Sequence, residues 1–238
     1  MKFFSPLIII LLISNSCQKQ VEGFSATNHQ TLTGYDSTGK PNNLEARDVI
    51  SSDLISFIKK TLPEDLNLTK TNPDLFSSKA IADINVQQAS DVFVTFVSTG
   101  AGNSATIGFY TYPTGQSPTS AKDIKTISYI FPNAGGGTTL QAGDKVKIGR
   151  FNAGTSIGFV LLPFGWNSQT KTINNSAVHL CTNDALNPAE DPNLKKHAVL
   201  INYAPENKVL IGFEDIDRRA TACDNDFNDV VMYATVTP

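Results

Sequence analysis

Val209-Leu-Ile-Gly-Phe-Glu-Asp-Ile-Asp-Arg-Arg-Ala-Thr-Ala-Cys-Asp-Asn-Asp-Phe-Asn-Asp-Val-Val-Met-Tyr233 is the stretch that decides the reading of this chain. Two apolar, β-favouring runs bracket a loop of oxygen-bearing side chains: Glu214, Asp215, Asp217, Asp224, Asp226, Asn228 and Asp229. Apolar runs around a polar connection predict a hairpin. Carboxylates this close in sequence repel one another unless a cation or basic groups compensate. Hard cations such as Ca²⁺ take about six to eight oxygen ligands of this kind.

The strand pattern extends upstream to Asp91. Val92–Val97, Ala105–Tyr112, Ile124–Phe131, Lys145–Gly149, Ser156–Leu162, Lys171–Ile173, His197–Tyr203, Lys208–Phe213 and Asp229–Val236 are short, rich in β-branched and aromatic residues, and divided by turn residues. This predicts a mainly β fold, an antiparallel β-sandwich or jelly roll over residues 91–238. The absence of a βαβ rhythm argues against a Rossmann-like sheet. Gly135-Gly-Gly137 lacks the Lys-Ser/Thr that a phosphate loop requires, and reads as a turn.

Before the strands, residues 42–90 read as a helical N-terminal segment. Leu44, Ile50, Leu54, Phe57, Ile58 and Leu62 recur at helical spacing, Asn42 or Asn43 can cap the start, and Pro63 follows the end. At the N-terminus Phe3–Ile13 is an apolar run broken by Ser5 and Pro6, shorter than the ~20 residues of a membrane span. Ser14-Asn-Ser-Cys17 follows and resembles a bacterial lipoprotein processing site of the relaxed Bacteroidota kind. Residues 1–16 are then a signal peptide, Cys17 carries the lipid, and polar residues 17–41 form a tether. The expected location is the cell envelope, as an outer-membrane lipoprotein. An ordinary secretory signal with an incidental cysteine is the alternative.

The 238 residues carry a net charge of −3, and their basic residues form no run longer than a pair. That excludes nucleic acid as the expected partner. An oxidising compartment makes Cys181–Cys223 a candidate disulfide. Without a C-x-x-C pair, a zinc site is disfavoured.

Asp224-x-Asp226-x-Asn228 matches the first three ligand positions of an EF-hand loop. The sixth position holds Asp229 where Gly is needed, the twelfth holds Thr235 where Glu is needed, and a strand follows where a helix should. The geometry expected instead is a hairpin site closed by Glu214-Asp215. An all-oxygen donor set favours Ca²⁺ over Zn²⁺ or Cu²⁺, and the surplus of carboxylates favours it over Mg²⁺. The bland alternative is a solvated turn neutralised by Arg218 and Arg219. A catalytic alternative pairs Glu214 with Asp226 as acid and base in glycoside hydrolysis, which requires one carboxyl to stay protonated. The three histidines, His29, His179 and His197, read as structural or surface residues. Trp166, Tyr110 and Tyr112 are the aromatics that could form a sugar platform, though core positions suit them as well.

Ile211-Gly-Phe-Glu-Asp215 followed by Asp224-Asn-Asp-Phe-Asn-Asp229-Val-Val resembles the C-terminal motif of the domain of unknown function 4114 family. Ile107-Gly-Phe-Tyr-Thr-Tyr112, Ile157-Gly-Phe-Val-Leu-Leu162 and Ala185-Leu-Asn-Pro188 resemble its recurring pieces, so the resemblance spans roughly residues 91–238. It implies a β-sandwich with a Ca²⁺ site formed by Glu214, Asp215, Asp224, Asp226, Asn228 and Asp229. Arg218-Arg-Ala-Thr-Ala-Cys223 departs from the glycine-rich stretch common in that family. No activity follows from the resemblance. The chain is therefore expected to be a Ca²⁺-stabilised envelope lipoprotein that binds glycan or another surface protein. A carbohydrate-active hydrolase and a purely structural envelope component are the alternatives.

Overall fold

The computed structural model describes residues 23–77 and 80–238. The expected signal peptide and the lipidation at Cys17 lie outside them. Thirteen strands follow in chain order: β1 (Asn28–Thr31), β2 (Ile84–Val86), β3 (Ser90–Thr99), β4 (Thr106–Pro113), β5 (Thr126–Phe131), β6 (Lys145–Phe151), β7 (Thr155–Leu162), β8 (Trp166–Asn167), β9 (Thr172–Ile173), β10 (Leu180–Cys181), β11 (Ala198–Tyr203), β12 (Lys208–Phe213) and β13 (Val230–Thr237). The fold is mainly β, as expected, and consistent with a β-sandwich. One sheet has the order β1-β5-β4-β7-β10, with β2 also paired to β7. The second has the order β11-β12-β13-β3-β6, and β8-β9 form a small ribbon. All pairings are antiparallel except β1 with β5.

The apolar residues sort into three clusters, which explains why many strands read as unbroken apolar runs. Ile107, Phe109, Phe131 and Phe159 of one sheet share the central core with Val94, Phe96, Ile211, Phe213 and Met232 of the other. A second cluster holds Tyr110, Ile127, Tyr129, Val160 and Cys181 together with Phe24. A third gathers Val199, Leu210, Val231 and Tyr233 with Leu54, Ile58 and Leu62. Residues on alternate faces of β13 are thus covered, and Val230–Ala234 are all buried. Each large aliphatic or aromatic side chain so buried contributes about 1.5–3 kcal/mol.

The cover over the third cluster is helix α1, Ser52–Thr61, which buries Leu54 and Ile58. Ser51 caps it by accepting the Leu54 N–H at 3.1 Å. The helix is shorter than the expected 42–62 because the sheet claims the preceding backbone. Leu44 bridges to Val146, the Glu45 N–H donates to the Lys145 carbonyl at 2.8 Å, and the Asp48 N–H donates to the Gly143 carbonyl at 2.9 Å. The rest of the segment read as helical holds a single short α-helix, α2 (Leu68–Thr71), one 3₁₀ turn and strand β2. Within the expected tether, Asn28–Thr31 is a strand rather than loose chain, because the neighbouring edge of β5 offers it a parallel ladder. No helix among the described residues is long and apolar enough to cross a membrane.

Candidate metal centre

The expected hairpin is present. β12 pairs with β13 in a register that sets Phe213 opposite Val230, so residues 214–229 form the connection. Gly212 allows the tight return. A Cβ there would stand 2.3 Å from the Phe227 carbonyl oxygen and 2.8 Å from Leu62 Cδ1. Asn225 and Phe227 both adopt the left-handed backbone, with φ of 61° and 59°. Asn tolerates that region, but Phe does so at a cost. Phe227 is held there by full burial and by an edge-on contact with Phe76, ring centroids 5.2 Å apart.

These turns bring the acids together. Ligand oxygens of Glu214, Asp224 and Asp226 all lie within 4.8 Å of one another. Oxygens on opposite sides of a shell with Ca–O about 2.4 Å are about 4.8 Å apart, so this triad fits around one hard cation. Glu214 is only 2 % exposed, and its Oε2 has no hydrogen-bond partner. Its Oε1 accepts a hydrogen bond from the Cys223 thiol at 3.2 Å. Asp226 accepts from the Asn228 N–H at 3.1 Å and the Asp65 N–H at 3.0 Å, and Asp224 accepts from the Asp226 N–H at 3.2 Å.

The other three expected ligands lie beside the triad and take different partners. Asp229 accepts the Asp215 N–H at 2.7 Å, and Asp215 accepts from Asn103 Nδ2 at 3.3 Å. The Asp229 carbonyl receives the Gly100 and Ala101 N–H groups, each at 3.0 Å. Asn228 faces Gly100. Asp65 and Asn103 were not visible as site residues in the sequence, because only the tertiary fold carries them to the loop.

Burial and crowding oppose ionisation here. Burial first, then the charges of Asp229, Asp224 and Asp226, push Glu214 up to about 8. Burial raises Asp226 to about 6, with help from Asp224 and Glu64. Asp229 also rises to about 6, through burial and then Asp215, and burial raises Asp215. The charge of Arg218 reaches Glu214, but neither neighbouring arginine forms an ion pair with these acids. Arg218 is buried, donates to Asn225 Oδ1 at 2.7 Å and to the Asn193 and Lys196 carbonyls, and lies over the Phe76 and Phe227 rings. Arg219 pairs with Asp217 at 2.6 Å. None of the ion pairs among the described residues reaches the triad, Asp215 or Asp229. A buried, unpartnered carboxylate oxygen within a ring of oxygens fits a cation.

The expected Cys181–Cys223 bond is not formed. Both thiols are free. Cys181 is fully buried in the cluster around Tyr110, whereas Cys223 is held in the loop by Glu214. The core alternative holds for two of the three candidate platform aromatics. Trp166 and Tyr110 are buried, and Tyr112 donates from its hydroxyl to Asp83 at 2.5 Å. The exposed aromatic is instead Phe164, 63 % accessible, in the same Pro163-Phe-Gly-Trp-Asn stretch. Phe164 lines a groove of about 590 Å³ with Asn174, Val178, Asp215, Asp217 and Arg219.

Residues 151–237 match a family model described as Domain of unknown function (DUF4114). The match takes in β7 to β13 and the whole acidic loop, but not the Ile107–Tyr112 stretch. The matched residues do not make a separate sandwich: β3 and β6 complete the sheet of β11–β13, and β4 and β5 complete that of β7. Neither the curated proteins nor the solved structures give a match.

Proposed function

We propose that this chain, whose residues 151–237 match the DUF4114 family model, is a Ca²⁺-stabilised, non-catalytic binding module of the cell envelope. It is tethered to the outer membrane through a lipid on Cys17 and binds glycan or another surface protein. The observation that carries the metal reading is Glu214 Oε2, buried and unpartnered among the oxygens of Asp224 and Asp226. An all-oxygen, carboxylate-rich set suits Ca²⁺. The ion ties β12 to β13 and holds the loop whose Asp215 and Asp217 line the neighbouring groove. Phe164 on the rim supplies a flat apolar face, and Asn174, Asp217 and Arg219 supply hydrogen-bonding groups, the mixture that orients a sugar ring. The hydrolase reading would require a protonated acid facing a cleft. Glu214 holds its proton, but it lines none of the described cavities.

The test is thermal unfolding of the full chain in excess EGTA and in excess Ca²⁺, beside Asp226→Ala. An ion that binds only the native state raises the melting point with RT ln(1 + [L]/Kd). A Ca²⁺-dependent rise that Asp226→Ala removes is the expected result. The absence of any Ca²⁺ response would leave the loop as a cluster of protonated and solvated acids, and the metal reading would be abandoned.

A further inference from the structure

The groove beside the acidic loop is lined by two kinds of surface. Asn174, Asp217 and Arg219 are polar. Arg219 commits Nε and Nη2 to Asp217, which leaves Nη1 as a donor. Asn174 accepts the Ser176 N–H through Oδ1 at 3.1 Å, and its Nδ2 donates to no described residue. Asp217 and Arg219 cancel in charge, so these groups offer hydrogen bonds rather than a cationic field for a phosphate. Pro163, Phe164, Val178 and Pro188 are apolar. Phe164 is 63 % exposed and Val178 55 %. The other exposed large hydrophobics among the described residues, Val49, Ile55 and Leu66, line none of the described cavities. A sugar matches the Phe164 face and the polar groups, whereas Val178 and Pro188 match hydrocarbon.

The groove also lies where the chain enters the folded body. Ser176, Ala177, Val178 and Pro188 line both the groove and a neighbouring cavity of about 340 Å³, which Gly23 and Phe24 line as well. Phe24 is buried and stacks on His179, ring centroids 4.3 Å apart. Gly23 stands six residues after Cys17, a span of at most about 22 Å for extended chain. A lipid on Cys17 therefore keeps this face within that reach of the membrane surface. A ligand in the same membrane meets it at high effective concentration.

We propose that the ligand of this groove is a neutral glycolipid of the membrane that holds the anchor. Its uncharged sugar headgroup lies against Phe164, Asn174 and Arg219, and the first carbons of its hydrocarbon run along Val178 and Pro188. This assignment rests on the anchored, glycan-binding reading above and names the source of the glycan: a lipid of the same membrane, not a free saccharide.

The test uses the full chain carrying Cys17→Ser, which accepts no lipid, so that vesicle binding reports the groove alone. Flotation in excess Ca²⁺ compares phosphatidylcholine vesicles with the same vesicles carrying monoglucosyl diacylglycerol, monogalactosyl diacylglycerol or phosphatidylglycerol. Calorimetry with soluble glucosylglycerol and galactosylglycerol measures the headgroups alone. The expected result is binding to glycolipid vesicles only, roughly tenfold or more tighter than to the soluble headgroup. Phe164→Ala and Val178→Ser should each weaken it by roughly tenfold with the melting point unchanged. Equal affinity for the soluble headgroup would overturn the glycolipid assignment and leave the glycan groove standing. Binding to phosphatidylcholine or phosphatidylglycerol vesicles alike would replace it with a plain membrane contact. No binding to either glycolipid, or binding that survives both variants, would overturn it as well. Mass spectrometry of the wild-type protein reads the anchor separately, and an unmodified Cys17 would overturn the anchor reading and this proposal with it.

Discussion

Raising the pH should weaken the metal-free protein, and the acidic loop determines by how much. Glu214 titrates near 8 in the fold against an ordinary 4.5. Between about pH 4.5 and about pH 8 the folded protein therefore holds a proton that the unfolded chain has released. The associated stability is fully present below that window and is lost as pH rises through it. At about 1.4 kcal/mol per pH unit, the loss across the window is roughly 4–5 kcal/mol. Asp226 and Asp229, both near 6, act in the same direction, but they share one field with Glu214 and their effects do not add. For a chain of this size, roughly 2–4 °C accompany each kcal/mol, so the melting point should fall by about ten degrees or more. The assay is circular dichroism melting in EGTA across the window, repeated with excess Ca²⁺ and with Glu214→Gln. In EGTA the wild-type melting point should fall with pH, and Ca²⁺ should flatten the curve. Glu214→Gln keeps an acceptor for the Cys223 thiol while removing the buried charge. It should therefore exceed the metal-free wild type at about pH 8 and fail to respond to Ca²⁺. A flat wild-type curve in EGTA, or a Glu214→Gln protein weaker than wild type there, would refute the reasoning.

Other residues make separate predictions. Gly212→Ala forces a methyl against the Phe227 carbonyl at 2.3 Å, and should cost about 3 kcal/mol in urea unfolding. Phe164→Ala removes an exposed ring at the groove rim. It should abolish retention on a glycan array while moving stability by less than about 0.5 kcal/mol. Cys181 and Cys223 should both alkylate in denaturant without reductant, as read by mass spectrometry, because they are unpaired in the fold.

The strands from Val92 onward were legible in the sequence because β-branched and aromatic runs meet clear turn residues there. The β12–β13 hairpin and the acids in its loop were legible for the same reason. Asn28-His-Gln-Thr31 has no such signal, and it becomes a strand only because β5 presents a free edge. Leu44 and Ile50 continue the helical spacing of α1, yet Leu44 bridges to β6 and the helix waits for Ser51. At the acidic loop, sequence proximity grouped six residues that the fold divides. Glu214, Asp224 and Asp226 converge, whereas Asp215 and Asp229 bond to each other and to the β3–β4 turn. Arg218 was a candidate counter-ion, but its guanidinium instead pins the loop to carbonyls around residues 193–196. Such partners lie far along the chain and leave no local trace.

The position of β13 imposes an order on assembly. It lies between β12 and β3, with Thr237 opposite Asp91 and Val230 opposite Thr99. Synthesis delivers β3 long before its neighbour exists, so the second sheet cannot close around its middle until β13 has been made. Pairings over such sequence separations are slow to form and leave edges exposed meanwhile. Closure of the second sheet therefore waits on β13, and the acidic turn is the connection that delivers that strand to its place between β12 and β3.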